Sequence, residues 1–276
     1  MNNVTKRSLS GVLYVLILLG GIWWKPQSFV LMLYGLQLMC AIETLTLLNL
    51  NRVLPRALAV IGGLLAFIFS AQVFYGKITL GERWLLPLLF ILAISHVLGL
   101  VILTFMNNKR VRLIKIDWLH ALLYTLFPFI VPMLVFKIND AWYMHFMTLT
   151  FVLIWVNDTF AFVFGKMLGK TLLFPRLSPK KTFEGLAGGI LMTFVVAILI
   201  IPYFSDRLSP LALSGMAAIT VVFGNIGDLY ESKMKRRAEV KDSGNLIPGH
   251  GGILDRLDSY LFIMPAASAF IYFILP

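Results

Sequence analysis

Nine apolar runs, at roughly 9–24, 27–48, 55–75, 84–106, 118–136, 142–164, 185–203, 210–230 and 257–275, take up most of the 276 residues. A helix needs about 20 mostly apolar residues to cross about 30 Å of hydrocarbon. The runs therefore predict an all-α polytopic membrane protein with about nine transmembrane helices. The side-chain balance agrees, at 59% hydrophobic and 13% charged, against roughly 45–50% and about 25% in average globular chains. Too few charges are available to cover the core of a soluble domain of this size. A single cysteine, Cys40, excludes an internal disulfide framework. The first run is too long, and too closely followed by others, for a cleaved signal. No soluble domain, internal repeat or low-complexity tract is evident.

Nine spans put the two termini on opposite sides, and the basic residues sort accordingly. Of 24 lysines and arginines, 19 fall in one alternate set of connecting segments. That is the bias of cytoplasmic loops, so the N-terminus is expected in the cytoplasm and the C-terminus outside. The net charge of +11, in a chain this apolar, points to an anionic membrane surface or phosphorylated substrates rather than nucleic acid. Residues 1–140 read as an N-terminal set of about five helices. Residues 141–276 read as a catalytic membrane region with cytoplasmic loops 165–184 and 231–256.

Acids are costly inside an apolar run, about 2.5–3.5 kcal/mol for a central Asp, so the few that intrude are informative. Asn157–Asp158 interrupt one run, and Asp228, Glu231 and Ser232 close another. Glu43, near the end of the second run, reads as an interfacial acid close to Arg52. Gly165–Thr171 resembles a phosphate loop superficially, but only three residues separate its glycines and it follows a membrane helix rather than a strand. Ser178-Pro179-Lys180-Lys181-Thr182 pairs two ammonium groups with hydroxyls ahead of Glu184. Ser178 or Thr182 would cap the following helix, whose N-terminus favours an anion.

The segment 225–259 carries the densest chemistry. Asp228, Glu231 and Ser232 lie at i, i+3 and i+4, so a helix puts them on one face, with Lys235 a turn further on; Asp255 and Asp258 also share a face. Between them, Gly249, Gly251 and Gly252 flank His250 and let the backbone approach an anion. Lys233, Lys235, Arg236, Arg237 and Lys241 surround the carboxylates with positive charge. Acids suited to Mg²⁺, with bases for phosphate, fit phosphoryl or nucleotidyl transfer.

Ser232–Asp258 resembles the signature of the phosphatidate cytidylyltransferases, with Ser, Lys-Arg, Lys-Asp, Pro-x-His-Gly-Gly and Asp-Arg-x-Asp in order. Asn157-Asp158-Thr159, Gly165, Gly169-Lys170 and Ser178–Thr182 are similar to that family's central loop. Lys166 stands where many members carry arginine, which keeps the charge but loses bidentate binding. Residues 1–140 match only as hydrophobic spans. The resemblance implies an enzyme of the bacterial-type inner membrane, active at its cytoplasmic face, that joins CTP and phosphatidate into CDP-diacylglycerol and pyrophosphate with Mg²⁺. On this sequence it makes Asp228 and Asp255 the principal metal carboxylates, supported by Ser232 and Asp258. Lys235 joins Asp228, Asp255 and Asp258 as a catalytic candidate. Phosphate and nucleotide contacts fall to Ser178, Lys180, Lys181, Thr182, Arg236, Lys241, His250, Gly251, Gly252 and Arg256. CTP, phosphatidate and the bilayer are the implied partners, without nucleic acid, and a second cation and a homodimer are left open.

Other readings fit less well. A CDP-alcohol phosphotransferase needs Asp-Gly-x-x-Ala-Arg, which does not occur, and a second Asp one residue later than Asp258. The Asp-rich clusters of polyprenyl transferases are missing too. Ion or proton transport through Asp158 and Asp228 would need these acids along a path open to both faces.

Overall fold

A computed structural model describes residues 3–50, 53–78, 85–106, 117–136, 142–175, 177–204, 207–247, 249 and 251–274. Its helices are α1 (Asn3–Trp23), α2 (Pro26–Leu47), α3 (Val53–Phe74), α4 (Leu85–Phe105), α5 (Asp117–Val135) and α6 (Trp142–Leu168). A short hairpin of β1 (Leu172–Phe174) and β2 (Ser178–Thr182) leads to α7 (Phe183–Leu199), the single turn α8 (Ile201–Phe204), α9 (Pro210–Arg237) and α10 (Leu254–Ile274). Among the described residues, then, the long helices coincide with the nine apolar runs. Six contain stretches long and apolar enough to cross a bilayer, in α2, α3, α4, α6, α9 and α10, while Leu9–Trp23, Leu119–Val135 and Phe183–Leu199 are shorter apolar helices. The chain is an integral membrane protein.

The helix ends sort into two layers. At one end Trp23 Nε1 donates to Thr148 Oγ1 at 2.9 Å, and Phe29, Phe74 and Tyr143 pack ring against ring. Phe136 meets Phe146, and Phe90 meets Tyr272 there in the same way. These contacts join the ends of α1, α3, α5 and α10 to the starts of α2, α4 and α6. At the other end Leu45, Ala59 and Ala121 cluster, Tyr14 OH donates to the Arg256 carbonyl at 3.3 Å, and Lys233 reaches the end of α4. Successive long helices thus alternate in direction, with most hydrogen-bonding charge at the second of these ends.

Local chemistry explains the details. Pro132 has no N–H to offer the Pro128 carbonyl four residues back, and Tyr260 OH from α10 donates to that carbonyl instead, at 3.2 Å. The loop expected at 231–256 is shorter: α9 runs to Arg237 and α10 starts at Leu254. No Gly or Pro interrupts 228–243, and Glu231 pairs with Lys235 at i, i+4 with Nζ–Oε2 of 2.5 Å, which favours continued helix. The loop expected at 165–184 is likewise partly structured. The helix continues to Leu168, and an antiparallel hairpin pairs Leu172 with Thr182 and Phe174 with Ser178.

Candidate active site

The close approach of α9 and α10 begins with Gly227. A Cβ there would lie 2.5 Å from the Asp258 carbonyl oxygen, so only glycine lets the two backbones come so near. Ser259 Oγ adds a bond to the Gly224 carbonyl at 3.2 Å. Asp228 and Asp258 are thereby brought onto one cavity of about 490 Å³, which Asp158 lines from α6 and Asp255 from α10. Lys166, Lys180, Lys181 and Arg256 line it too, as do Thr182 and Asn225. Acids and bases that are far apart in sequence face one space.

Asp228 is held on both oxygens. Ser232 Oγ, one turn along α9, donates to Oδ1 at 3.2 Å, as the i, i+4 spacing predicts. Lys181 Nζ lies 2.5 Å from Oδ2, and the two side chains keep 26% and 32% exposure. Burial alone would lower the Lys181 pKa, but the Asp228 carboxylate more than offsets it and holds the ammonium above its ordinary 10.5. In this arrangement the lysine supplies the cation beside the acid.

The hairpin aims the lysines. Thr182 is the residue that caps α7, its Oγ1 accepting from Gly185 N at 3.1 Å; Ser178 sits at the start of β2 and does not line the cavity. Glu184, in the first turn of α7, accepts from Lys170 N at 3.1 Å and Thr171 N at 3.2 Å. Backbone donors from the preceding turn therefore hold the hairpin against the helix N-terminus, and β2 places Lys180 and Lys181 over the acids.

The segment 238–253 is organised around Asp255. Its Oδ2 accepts from Ser243 N and Gly252 N, both at 2.8 Å, and lies 2.9 Å from Ser243 Oγ. Its Oδ1 faces Lys235 Nζ at 2.7 Å. Gly251 adopts φ +83°, a left-handed conformation that favours glycine, and its carbonyl accepts from Ile247 N at 2.9 Å. Behind this segment stands Glu43 of α2, which is 9% exposed. It accepts from Ser243 Oγ at 2.7 Å, Ile253 N at 3.1 Å and Leu254 N at 2.9 Å. The reading of Glu43 as an interfacial acid is corrected: its carboxylate is turned inward, onto donors at the first turn of α10.

The expected bases divide. Lys235 is pinned between Glu231 and Asp255. Arg236 is exposed and donates to the Val240 carbonyl at 3.1 Å, and Lys241 is exposed; neither lines the cavity. Lys233 points away from the acids and donates to the carbonyls of Leu103, Thr104 and Met106 at 2.6, 3.0 and 2.6 Å, capping the C-terminus of α4. His250 lies outside the described residues. Asp158 was legible as a buried-run acid but not as a member of this site; its signal was an ionisable residue inside an apolar run. It also lines a second cavity of about 430 Å³, with Asp255, Arg256 and Asp258 on one side and Tyr14, Val15, Ile154 and Trp155 on the other.

The chain is similar to proteins that carry a name. A Staphylococcus aureus (strain COL) protein named phosphatidate cytidylyltransferase is 43% identical over 122 residues, covering 44% of this chain and 47% of its own. A Bacillus subtilis (strain 168) protein of the same name is 50% identical over 131 residues, covering 45% of each chain. The matched stretch spans about half the length of these relatives. A family model described as the cytidylyltransferase family matches residues 5–274, from the first turn of α1 to the last residue of α10. The match takes in the helices that carry Glu43 and Lys233 as well as those that carry the aspartates, and the chain as a whole belongs to the cytidylyltransferase family.

Proposed function

We propose that this protein transfers the cytidylyl group of CTP to phosphatidate, forming CDP-diacylglycerol and pyrophosphate. The observation that carries the reading is the cluster of Asp158, Asp228 and Asp258 facing Lys180 and Lys181 across one cavity, with a second, partly apolar cavity sharing its acids. The lysine-lined side suits a triphosphate. The other side, walled by Tyr14, Val15, Ile154 and Trp155 of α1 and α6, suits a phosphate carried on acyl chains. Nine crossings, an N-terminus in the cytoplasm and a site at the cytoplasmic face agree with the alternating helices and with the placement of the basic residues.

In the reaction a phosphatidate oxygen attacks the α-phosphorus of CTP, the new O–P bond forms, and the bond to the β-phosphate oxygen breaks. The electron pair leaves with pyrophosphate. An ionised phosphate needs no general base for this attack. Lys180 and Lys181 hold the charge of the phosphates, and Arg256, which lines both cavities, orients the two anions for in-line contact.

Among the described residues no group of three His, Cys, Asp or Glu side chains is gathered closely enough to cage a metal. The carboxylates of Asp228, Asp158 and Asp258 nevertheless fit Mg²⁺, which takes one or two carboxylates and completes its shell from substrate phosphates and water; Lys181 would give up its place at Asp228 Oδ2 to the ion. Asp228, with Asp258 and Asp158 beside it, would hold the ion, and Ser232 steadies Asp228. Asp255, engaged by Ser243 N, Gly252 N and Lys235 Nζ, contributes mainly by shaping the loop. Bound there, the metal would neutralise charge building on the phosphates.

The test is Mg²⁺-dependent pyrophosphate release by purified protein supplied with CTP and phosphatidate. Wild type is expected to turn over, and Asp228→Asn to lose at least about 100-fold while still purifying as a folded membrane protein. No release by folded wild type would overturn the activity; near-normal release by Asp228→Asn would overturn the metal assignment.

A further inference from the structure

Glu43 is the one acid of the first two helices, and it touches neither cavity. Its position is nevertheless demanding. A Cβ added to Gly244 would lie 2.7 Å from its Oε1, and one added to Gly252 would collide with Oε2 and with Ser243 Oγ. Two glycines thus make room for this carboxylate, one midway along the connection from α9 to α10 and one just before α10. Ile253, the residue before α10, has an apolar side chain that can accept no hydrogen bond, so the first turn of α10 has no cap on its own N-terminal side. Glu43 takes that role from another helix, accepting from the backbone of Ile253 and Leu254 and placing a negative charge at the helix N-terminus. Ser243 Oγ lies 2.7 Å from the same carboxylate and 2.9 Å from Asp255 Oδ2, so its one proton donates to either acid in turn and ties the two together. Asp255 in turn holds Lys235.

We propose that Glu43 is a positioning residue of the active site, fixing Ser243, Ile253 and the first turn of α10 so that Asp255 and Asp258 keep their orientation toward Asp228. The inference rests on the cytidylyltransfer reading for its kinetic consequence, but its structural content does not. Glu43 reaches the reacting groups through Ser243 and the α10 backbone rather than by touching substrate. The carboxylate has three donors to satisfy. Glutamine keeps one acceptor oxygen and the same length, but it turns the second oxygen into a donor that cannot serve an N–H.

The experiment compares wild type, Glu43→Gln, Ser243→Ala and the double variant, each purified in detergent. Hydrogen exchange is followed by peptide, and pyrophosphate release is followed against CTP and Mg²⁺ concentration. Glu43→Gln is expected to speed exchange in the 241–254 segment without changing it in α6 and α7. It is also expected to lower kcat roughly tenfold and raise the Mg²⁺ needed for half-maximal rate, with the KM for CTP changed far less. The double variant should lose less than the product of the two single losses, because both break one relay. Unchanged exchange at 241–254, or faster exchange throughout the bundle with kcat per folded molecule retained, would overturn the proposal. If folded wild type releases no pyrophosphate, the activity reading fails, and the exchange of the 241–254 segment still decides whether Glu43 holds it.

Discussion

Replacing Gly227 by alanine tests whether the spacing of α9 and α10 sets the geometry of the acids. The added Cβ would stand 2.5 Å from the Asp258 carbonyl oxygen, 3.1 Å from Phe262 Cδ2 and 3.2 Å from the Asp258 carbonyl carbon, where ordinary contact begins at 3.4 Å. Two of these three neighbours are backbone atoms of a helix and cannot rotate aside. The helices must therefore separate by about 0.9 Å at this crossing, and Asp228 and Asp258, one on each, move apart with them. A misplacement of about 1 Å can cost about 100-fold in rate, while overpacking costs about 1–3 kcal/mol of stability. Gly224, one turn earlier, is the internal control. A Cβ there meets Ile263 Cδ1 at 3.1 Å and Ser259 Cβ at 3.6 Å, both side-chain atoms, and the first lies at the end of a flexible chain. Pyrophosphate release per folded molecule should fall about 100-fold in Gly227→Ala and no more than about threefold in Gly224→Ala, with detergent melting temperatures measured for both. Equal losses in the two variants, or a Gly227→Ala enzyme within twofold of wild type, would refute the spacing as the cause.

Lys233→Met keeps the aliphatic stem, 5% exposed, and removes the donor to three carbonyls at the end of α4. It should cost about 1–3 kcal/mol, seen as a lower melting temperature, while turnover per folded molecule stays near wild type. Lys181, held above its ordinary value, should not lose its proton in the working range. A lysine raised above 10.5 on folding contributes stability that is fully present below its unfolded pKa and is lost only as pH rises through the still higher folded value. The pH–rate profiles of wild type and Lys181→Arg should therefore have the same shape from pH 6 to about 9. A limb that appears in wild type and vanishes in the arginine variant would show that the lysine titrates there.

Apolar run length was enough to find the helices, because each run must satisfy its own backbone in lipid. It did not find their ends: Asp228–Arg237 is polar enough to resemble a loop, yet the Glu231–Lys235 pair carries α9 through it. Helical spacing correctly put Ser232 beside Asp228, since that contact is local. Which of Ser178 and Thr182 caps α7 depended on the hairpin register, and only Thr182 sits at the junction. Contacts between helices were not legible. Neither the turn of Lys233 toward α4 nor that of Glu43 toward α10 leaves a periodic trace, and charge alone had placed one among the bases around the carboxylates and the other at the interface. Asp158 lay between these cases, since its cost in an apolar run marked it as functional without saying which acids it would join.

The partners of Glu43 follow it in the chain by 200 to 211 residues. At translation rates of about 5–20 residues per second, that is an interval of about 10–40 s. During it α2 is already made while α10 is not. The carboxylate waits for donors made some 200 residues later. Two of the three are main-chain groups, which every residue type but proline carries, so that part of the fit is read from position rather than from side-chain identity. An acid of α2 thus marks the berth for α10, and the order of synthesis becomes part of how the acids of the pocket come into line.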